Sequence, residues 1–441
     1  MSDDRPTQGT DVSDLLKQAM SLQQHGRLAE ADWVYGEILR SNADNFDALH
    51  LLGLIRIQQR RFDEAVTLIR AATRQRPHSA DAFVNLGNAL QGAQRAGDAV
   101  PCYQQALAIQ PNFALAHVNL ASAQSVLHHF DEAIANCQRA LEIEPTNADA
   151  HNNLANALCS LKRYEEAIGV YRSALAARPE FPEALYNLGN AYMELDRYEE
   201  AVDVNRQVLA SRPDFAPAHN NLGRALLMLH RFEEAAACFR RAIQINNRLV
   251  IAHDNLGLVL SASGRHSEAI ASHRQALALN PRYAGAQANL AAALTHVGRL
   301  DEALESCRRA RDLDPTLPGV RSRLVTLKRR MCDWSAAADE ADSLISSMPT
   351  SPDAALPFTL VTICDDPSLQ LVAARRRYAH AQFERLARLG TELVYRHDRI
   401  RIGYLSADFH EHATAYLVAE LIERHDRGRF EITAFSWGRD D

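Results

Sequence analysis

The sequence predicts a mostly α fold, an α-solenoid of helix–turn–helix repeats, followed by a helical linker and an incomplete α/β lobe. Three observations carry that prediction. Ala31, Ala65, Ala99, Ala133, Ala167, Ala201, Ala235, Ala269, Ala303 and Ala337 stand 34 residues apart without a slip. Pro77, Pro111, Pro145, Pro179, Pro213, Pro281, Pro315 and Pro349 keep the same step, with Asn247 the one gap. At Arg399 the apolar pattern changes from a helical period to strand-like alternation.

A period of 34 with this pattern is that of the tetratricopeptide repeat, which the array resembles, and the resemblance implies a right-handed superhelix. Residues 1–11 are polar and read as a disordered tail. About ten repeats occupy 12–349, the first divergent because Ala43 stands where later units place Pro. Residues 181–213 show the unit best. Ala184, Leu188 and Tyr192 share one face of a first helix, and Asp196-Arg197 form the turn. Tyr198, Ala201, Val202, Val208 and Leu209 pack a second helix back on it, and Pro213 is expected to stop the pair. Small residues recur at Gly53, Gly87, Ala121, Ala155, Gly189, Gly223, Gly257 and Ala291, letting the two helices approach. Large side chains at Ala201 or Ala235 would overpack the hairpin. Residues 316–349, with Arg323 in place of Asn and Trp334 in place of Tyr or Phe, read as a cap. Residues 350–398 break the period: two loop-like stretches, SPDAALPFTL and DDPSLQ, precede a helix ended by Gly390. In 399–441, RIRIGYLS and FEITAFSW read as strands around a helix that Thr414 can cap. Strand–loop–helix–strand opens a parallel sheet, so the chain is expected to end inside a domain.

Composition narrows the function. A net charge of −7 argues against a nucleic-acid binder. Lysine occurs only at Lys17, Lys162 and Lys328, the Arg-rich habit of a GC-rich bacterial genome. No signal peptide or membrane-spanning run is visible, so a cytoplasmic protein is expected. Cys102, Cys137, Cys159, Cys238, Cys307, Cys332 and Cys364 form no CxxC pair or zinc spacing, and their recurrence within repeats reads as packing.

Two constellations could carry chemistry. Asn85, Asn119, Asn153, Asn187, Asn221, Asn255 and Asn289 form a ladder, one per unit and always before Leu. It lies beside the concave groove, where amides could hold an extended peptide by its backbone; the plainer alternative is a bond to the local backbone. A clamp for a terminal carboxylate is disfavoured: no residue preceding a rung is basic, and of those three positions after a rung only Arg224 is. His117, His151, His219 and His253 recur two residues before rungs and read as packed or solvated. The second constellation is the loop 407–414, where His410, Glu411 and His412 stand between a strand and a helix N-terminus. Such loops hold ligands in α/β sheets, although a solvated loop fits equally well. No metal site is expected there.

The ladder, the stretch PFTLVTICDDPSLQLVAARRRYA and residues 399–441 together resemble the protein O-linked N-acetylglucosamine transferase family, in particular bacterial members related to plant SPINDLY. The resemblance implies an inverting glycosyltransferase with Rossmann-like lobes, moving N-acetylglucosamine from UDP-GlcNAc to Ser or Thr of proteins, with no resident cofactor. His412 matches the family's loop histidine, though Ala413 stands where the family has Pro. The ladder from Asn85 to Asn289 would draw acceptor proteins toward the site. The donor-gripping lobe would lie beyond Asp441, leaving this chain inactive alone. A non-catalytic interaction scaffold and an O-fucosyltransferase using a GDP-sugar are the alternatives, and a homodimer through the convex face is left open.

Overall fold

The computed structural model describes residues 12–333, 341–342, 344–346, 359–360, 363–364, 366, 368–373 and the strand residues 400–406 and 430–436. The chain divides into two compact units, Met1–Ile363 and Cys364–Asp441, a boundary inside the stretch read as linker.

In the first unit nine helical hairpins follow one another among the described residues. They are α1 (Val12–Gln24) with α2 (Leu28–Ser41), α3 (Phe46–Gln58) with α4 (Phe62–Gln75), and α5 (Ala80–Gly92) with α6 (Ala96–Ile109). Then come α7 (Ala114–Val126) with α8 (Phe130–Ile143), α9 (Ala148–Ser160) with α10 (Tyr164–Ala177), and α11 (Pro182–Glu194) with α12 (Tyr198–Ser211). The series closes with α13 (Ala216–Met228) and α14 (Phe232–Ile245), α15 (Val250–Ala262) and α16 (His266–Leu279), and α17 (Ala284–His296) and α18 (Leu300–Leu313). α19 (Val320–Arg330) opens the divergent tenth repeat, and Trp334 lies outside the described residues. Each hairpin packs on the next, and first helices of consecutive units also touch. Successive second helices do not come as close, so the first helices line the inner, concave side.

Side chains at several helix starts supply the missing acceptor: Asn45, Ser79 and Asn147 each take the N–H of the residue three further on. Second helices begin differently. Arg163, Arg197, Arg231 and Arg265 stand before them and pair with Glu166, Glu200, Glu234 and Glu268, whose carboxyls these guanidiniums hold below the usual range. The proline column does not set the helix ends. α2 and α14 stop at Ser41 and Ile245, in step with the other second helices, although Ala43 and Asn247 replace the proline.

The first helices all end in one motif, which the sequence reading missed. Gly26, Arg60, Gln94, His128, Lys162, Asp196, His230, Gly264, Gly298 and Cys332, again 34 apart, adopt positive φ between 54° and 78°. The next residue's N–H reaches back five residues, as Arg197 N–H does to the Tyr192 carbonyl at 2.9 Å. This closes a Schellman turn. A left-handed conformation costs an L-residue about 1–2 kcal/mol, while glycine loses about 0.5–1 kcal/mol in chain entropy. Gln94 and Lys162 are exposed. Gln94→Gly and Lys162→Gly are therefore each expected to raise stability by about 0.5–1 kcal/mol. A higher urea midpoint would register the gain, and a lower one would contradict it.

Inside each hairpin a small residue on the first helix faces a large one sixteen positions later. A Cβ on Gly53, Gly87, Gly223 or Gly257 would lie 2.4, 2.5, 2.7 or 2.4 Å from Ile69, Tyr103, Phe239 or His273. Where Ala121 and Ala291 take the small position, Cys137 and Cys307 take the large one, both fully buried. Burial pushes the Cys137 thiol up to about 12, and none of the seven cysteines forms a disulfide.

In the second unit a helical stretch begins at Ser368, inside DDPSLQ, which reads as loop in the sequence. Asp366 explains this: its carboxylate takes the Ser368 N–H and hydroxyl at 2.8 and 2.7 Å and starts the turn. β1 (Ile400–Ser406) and β2 (Phe430–Ser436) pair in parallel, Ile400 opposite Phe430 through Ser406 opposite Ser436. Those are the two strands read from the alternating pattern.

Candidate functional site

The seven ladder asparagines lie on α5, α7, α9, α11, α13, α15 and α17, the helices that line the inner side. None bonds its local backbone, as the plainer reading has it. Each amide NH2 instead reaches back to the preceding unit. Asn119, Asn187 and Asn221 donate to the side-chain oxygens of Asn88, Asn156 and Asn190 at 2.9, 3.0 and 2.6 Å. Asn255 donates to Asn220 at 2.9 Å, and Asn289 to both oxygens of Asp254 at 3.3 and 3.1 Å. Asn85 meets His50 Nε2 at 2.9 Å, and Asn153 meets the Val118 carbonyl at 3.5 Å. Arg323 serves the same purpose in α19, donating to the Ala288 carbonyl. The column is thus a row of staples between units.

The accepting residues form a second column that sequence reasoning missed, although Asn88, Asn156 and Asn190 recur at the repeat step three residues after a rung. Two of them are anchored from behind. Tyr103 donates to Asn88 at 2.8 Å and Tyr171 to Asn156 at 2.5 Å. Burial pushes both phenols up.

With the NH2 groups committed backward, the rung oxygens remain. Among the described residues none of the seven accepts a hydrogen bond. None is among the fully buried polar atoms lacking a partner either; five of the seven rungs are half-buried, and Asn221 and Asn255 are buried at 4% and 8% exposure. The inner face therefore presents seven acceptors at one per repeat, held in place by the donors of the same amides.

The histidine column also has a structural task. His117, His151, His219 and His253 place Nε2 3.2, 3.0, 2.9 and 3.0 Å from the carbonyl six residues earlier, of Pro111, Pro145, Pro213 and Asn247. Each ties a first helix to the end of the preceding hairpin. The one buried histidine–carboxylate contact among the described residues lies deeper: His273 Nδ1 is 2.7 Å from Asp254, the pair 0% and 3% exposed. The Tyr283 phenol nearby is raised by burial and by the Asp254 carboxylate. No group of three or more His, Cys, Asp or Glu able to hold a metal occurs among the described residues. The loop 407–414, with His410, Glu411 and His412, lies outside them. No described helix is long and apolar enough to cross a membrane.

Stacked helical hairpins with a polar inner row define a repeat protein of the α-solenoid class. A tetratricopeptide repeat model matches residues 16–80, 84–143, 186–248 and 255–318, more than half of the chain, and related models match 136–169 and 155–196. The chain belongs to the tetratricopeptide repeat family. No curated protein matches it. Among solved structures it is similar to TTC0263, a thermophilic TPR protein in Thermus thermophilus, at 28% identity over 41% of this chain and 98% of the other, with a TM-score of 0.36. It is also similar to MamA, at 25% identity over 37% of this chain and 95% of the other, with a TM-score of 0.34. For a MamA RS-1 double mutant the identity is 21% over 38% and 94% of the two chains, with a TM-score of 0.37.

Proposed function

We propose that the inner face binds an extended polypeptide by its backbone, making this chain a protein-interaction module with broad sequence tolerance. The observation that carries the reading is the row of seven amide oxygens from Asn85 to Asn289, none of which accepts a hydrogen bond among the described residues. Backbone N–H groups are the donors every polypeptide offers at fixed intervals. Packed helices lie about 8–10 Å apart and an extended chain advances about 3.3 Å per residue, so one rung serves about three residues. Seven rungs then span about 18–20 residues.

The test uses the full chain and fluorescent, unstructured 20-mer peptides of mixed composition. In Asn187, Asn221 and Asn255 the staple partners are themselves amides, which can turn round and donate. Changing all three to Asp keeps both the staple and an oxygen in the groove; changing them to Ala removes both. The Ala variant is expected to bind at least about tenfold more weakly, since each lost bond is worth about 0.5–1.5 kcal/mol, while the Asp variant keeps its binding. Unchanged binding in the Ala variant would reduce the ladder to a staple between units.

A second reading places this module in a protein O-glycosyltransferase, drawing acceptor proteins to a catalytic lobe that uses UDP-GlcNAc or a GDP-sugar. The parallel pairing of β1 with β2 favours it, because parallel neighbours require a crossover and 23 residues, His412 among them, lie between the strands. The intact mass of the endogenous protein tests it. A mass well above 49.0 kDa with sugar transfer to bound peptides supports the enzyme. A mass of 49.0 kDa without transfer supports the scaffold.

A further inference from the structure

Arg224 occupies the ladder face with no hydrogen bond or ion pair among the described residues. It stands three residues after the rung Asn221 on α13, in the column that elsewhere holds Asn88, Asn156 and Asn190. Those amides accept the next unit's rung, but a guanidinium has only donors, and Asn255 turns to Asn220 instead. Arg224 is half-buried. Among the described residues it makes no ion pair or hydrogen bond, and its nitrogens are open to solvent. This is unlike Arg163, Arg197, Arg231 and Arg265, each matched with a glutamate three residues on. The acid on the next first helix, Asp254, is already held by His273 and Asn289. Arg224 is close enough to the Tyr283 hydroxyl to oppose the rise that burial and Asp254 cause there.

We propose that Arg224 sets the side-chain preference of the ladder, taking an Asp or Glu carboxylate of the polypeptide whose backbone the rungs hold. The proposal rests on the backbone-binding reading of those rungs. A guanidinium fork matches a carboxylate with two parallel N–H···O bonds, stronger than neutral ones and stronger still where the group is half-desolvated. Arg224 carries one positive charge in a chain of net charge −7, so one carboxylate is neutralised while a doubly charged phosphate would not be. Because the rungs fix the backbone about every third residue, one cation selects one register of the bound segment.

The test uses the full chain and labelled 20-residue Ser/Gly/Ala peptides carrying one Glu at each position in turn, beside the same set with Gln. Wild type is expected to bind the Glu peptide about tenfold more tightly than its Gln twin within a narrow window of positions. R224Q should abolish that preference while leaving the Gln peptides' affinity and the melting temperature unchanged. Equal binding of both sets to wild type, or a preference surviving in R224Q, overturns the proposal and leaves the ladder standing. No binding by any peptide overturns both. A variant with Asn187, Asn221 and Asn255 changed to Ala should lose both sets alike, which separates rungs from selector.

Discussion

Phe239→Ala is expected to lower the stability of the array by about 3–5 kcal/mol, the usual cost of emptying a large aromatic site. The ring is fully buried and fills the space left by Gly223, where a Cβ would already stand 2.7 Å away. Nothing can collapse into the gap, because the hairpin was built small-against-large and the small partner has no side chain to extend. Stacked repeats derive their stability from each unit and its immediate neighbours, so the damage should centre on α13 and α14. Urea titration should show the array splitting into two transitions, with amides of α13 and α14 losing hydrogen-exchange protection first. A single transition shifted by less than about 1 kcal/mol would mean that the small–large pairing does not hold this hairpin together.

Asp254→Ala should rank beside it, at about 3–5 kcal/mol, for a different reason. Removing the carboxylate strands the Nδ1 of fully buried His273 and the amide of Asn289, which comes from the next unit. His273 Nε2 already lacks a partner, so the ring would be left with neither nitrogen satisfied. Asp254→Asn keeps one oxygen for the two donors and should cost only about 1–2 kcal/mol. The contrast between the two variants is the informative measurement. If Ala and Asn destabilise equally, volume rather than hydrogen bonding is what the site requires.

The repeat step read from the alanines places every hairpin, and the alternation after Arg399 places both strands. The period says which residues are equivalent but not which neighbour each one meets. That is why the rungs read as groove residues or as bonded to their local backbone, when their donors cross to the previous unit and their oxygens accept nothing among the described residues. The acceptor column of Asn88, Asn156 and Asn190 is visible at the same step, but units with Ser122, Arg224, Leu258 and Ala292 there dilute it. Proline draws more weight in the sequence than it carries in the fold: second helices end on schedule at Ser41 and Ile245 without it. The turn column leaves almost no trace. Arg60, Gln94, His128, Lys162, Asp196 and His230 share no chemistry, and their backbone conformation is imposed by the hairpin they close. Residues 407–414 lie outside the described structure, so the His412 expectation stands on the resemblance alone.

Those closing turns give the molecule a thermal dial separate from its binding face. Seven non-glycine residues hold a conformation that glycine adopts without steric penalty, and each sits nine residues, about 13 Å of helix, beyond the position the rungs occupy. A lineage moving to a hotter or colder habitat could therefore retune the melting point of the array one codon at a time, while the row of amide oxygens stays as it is.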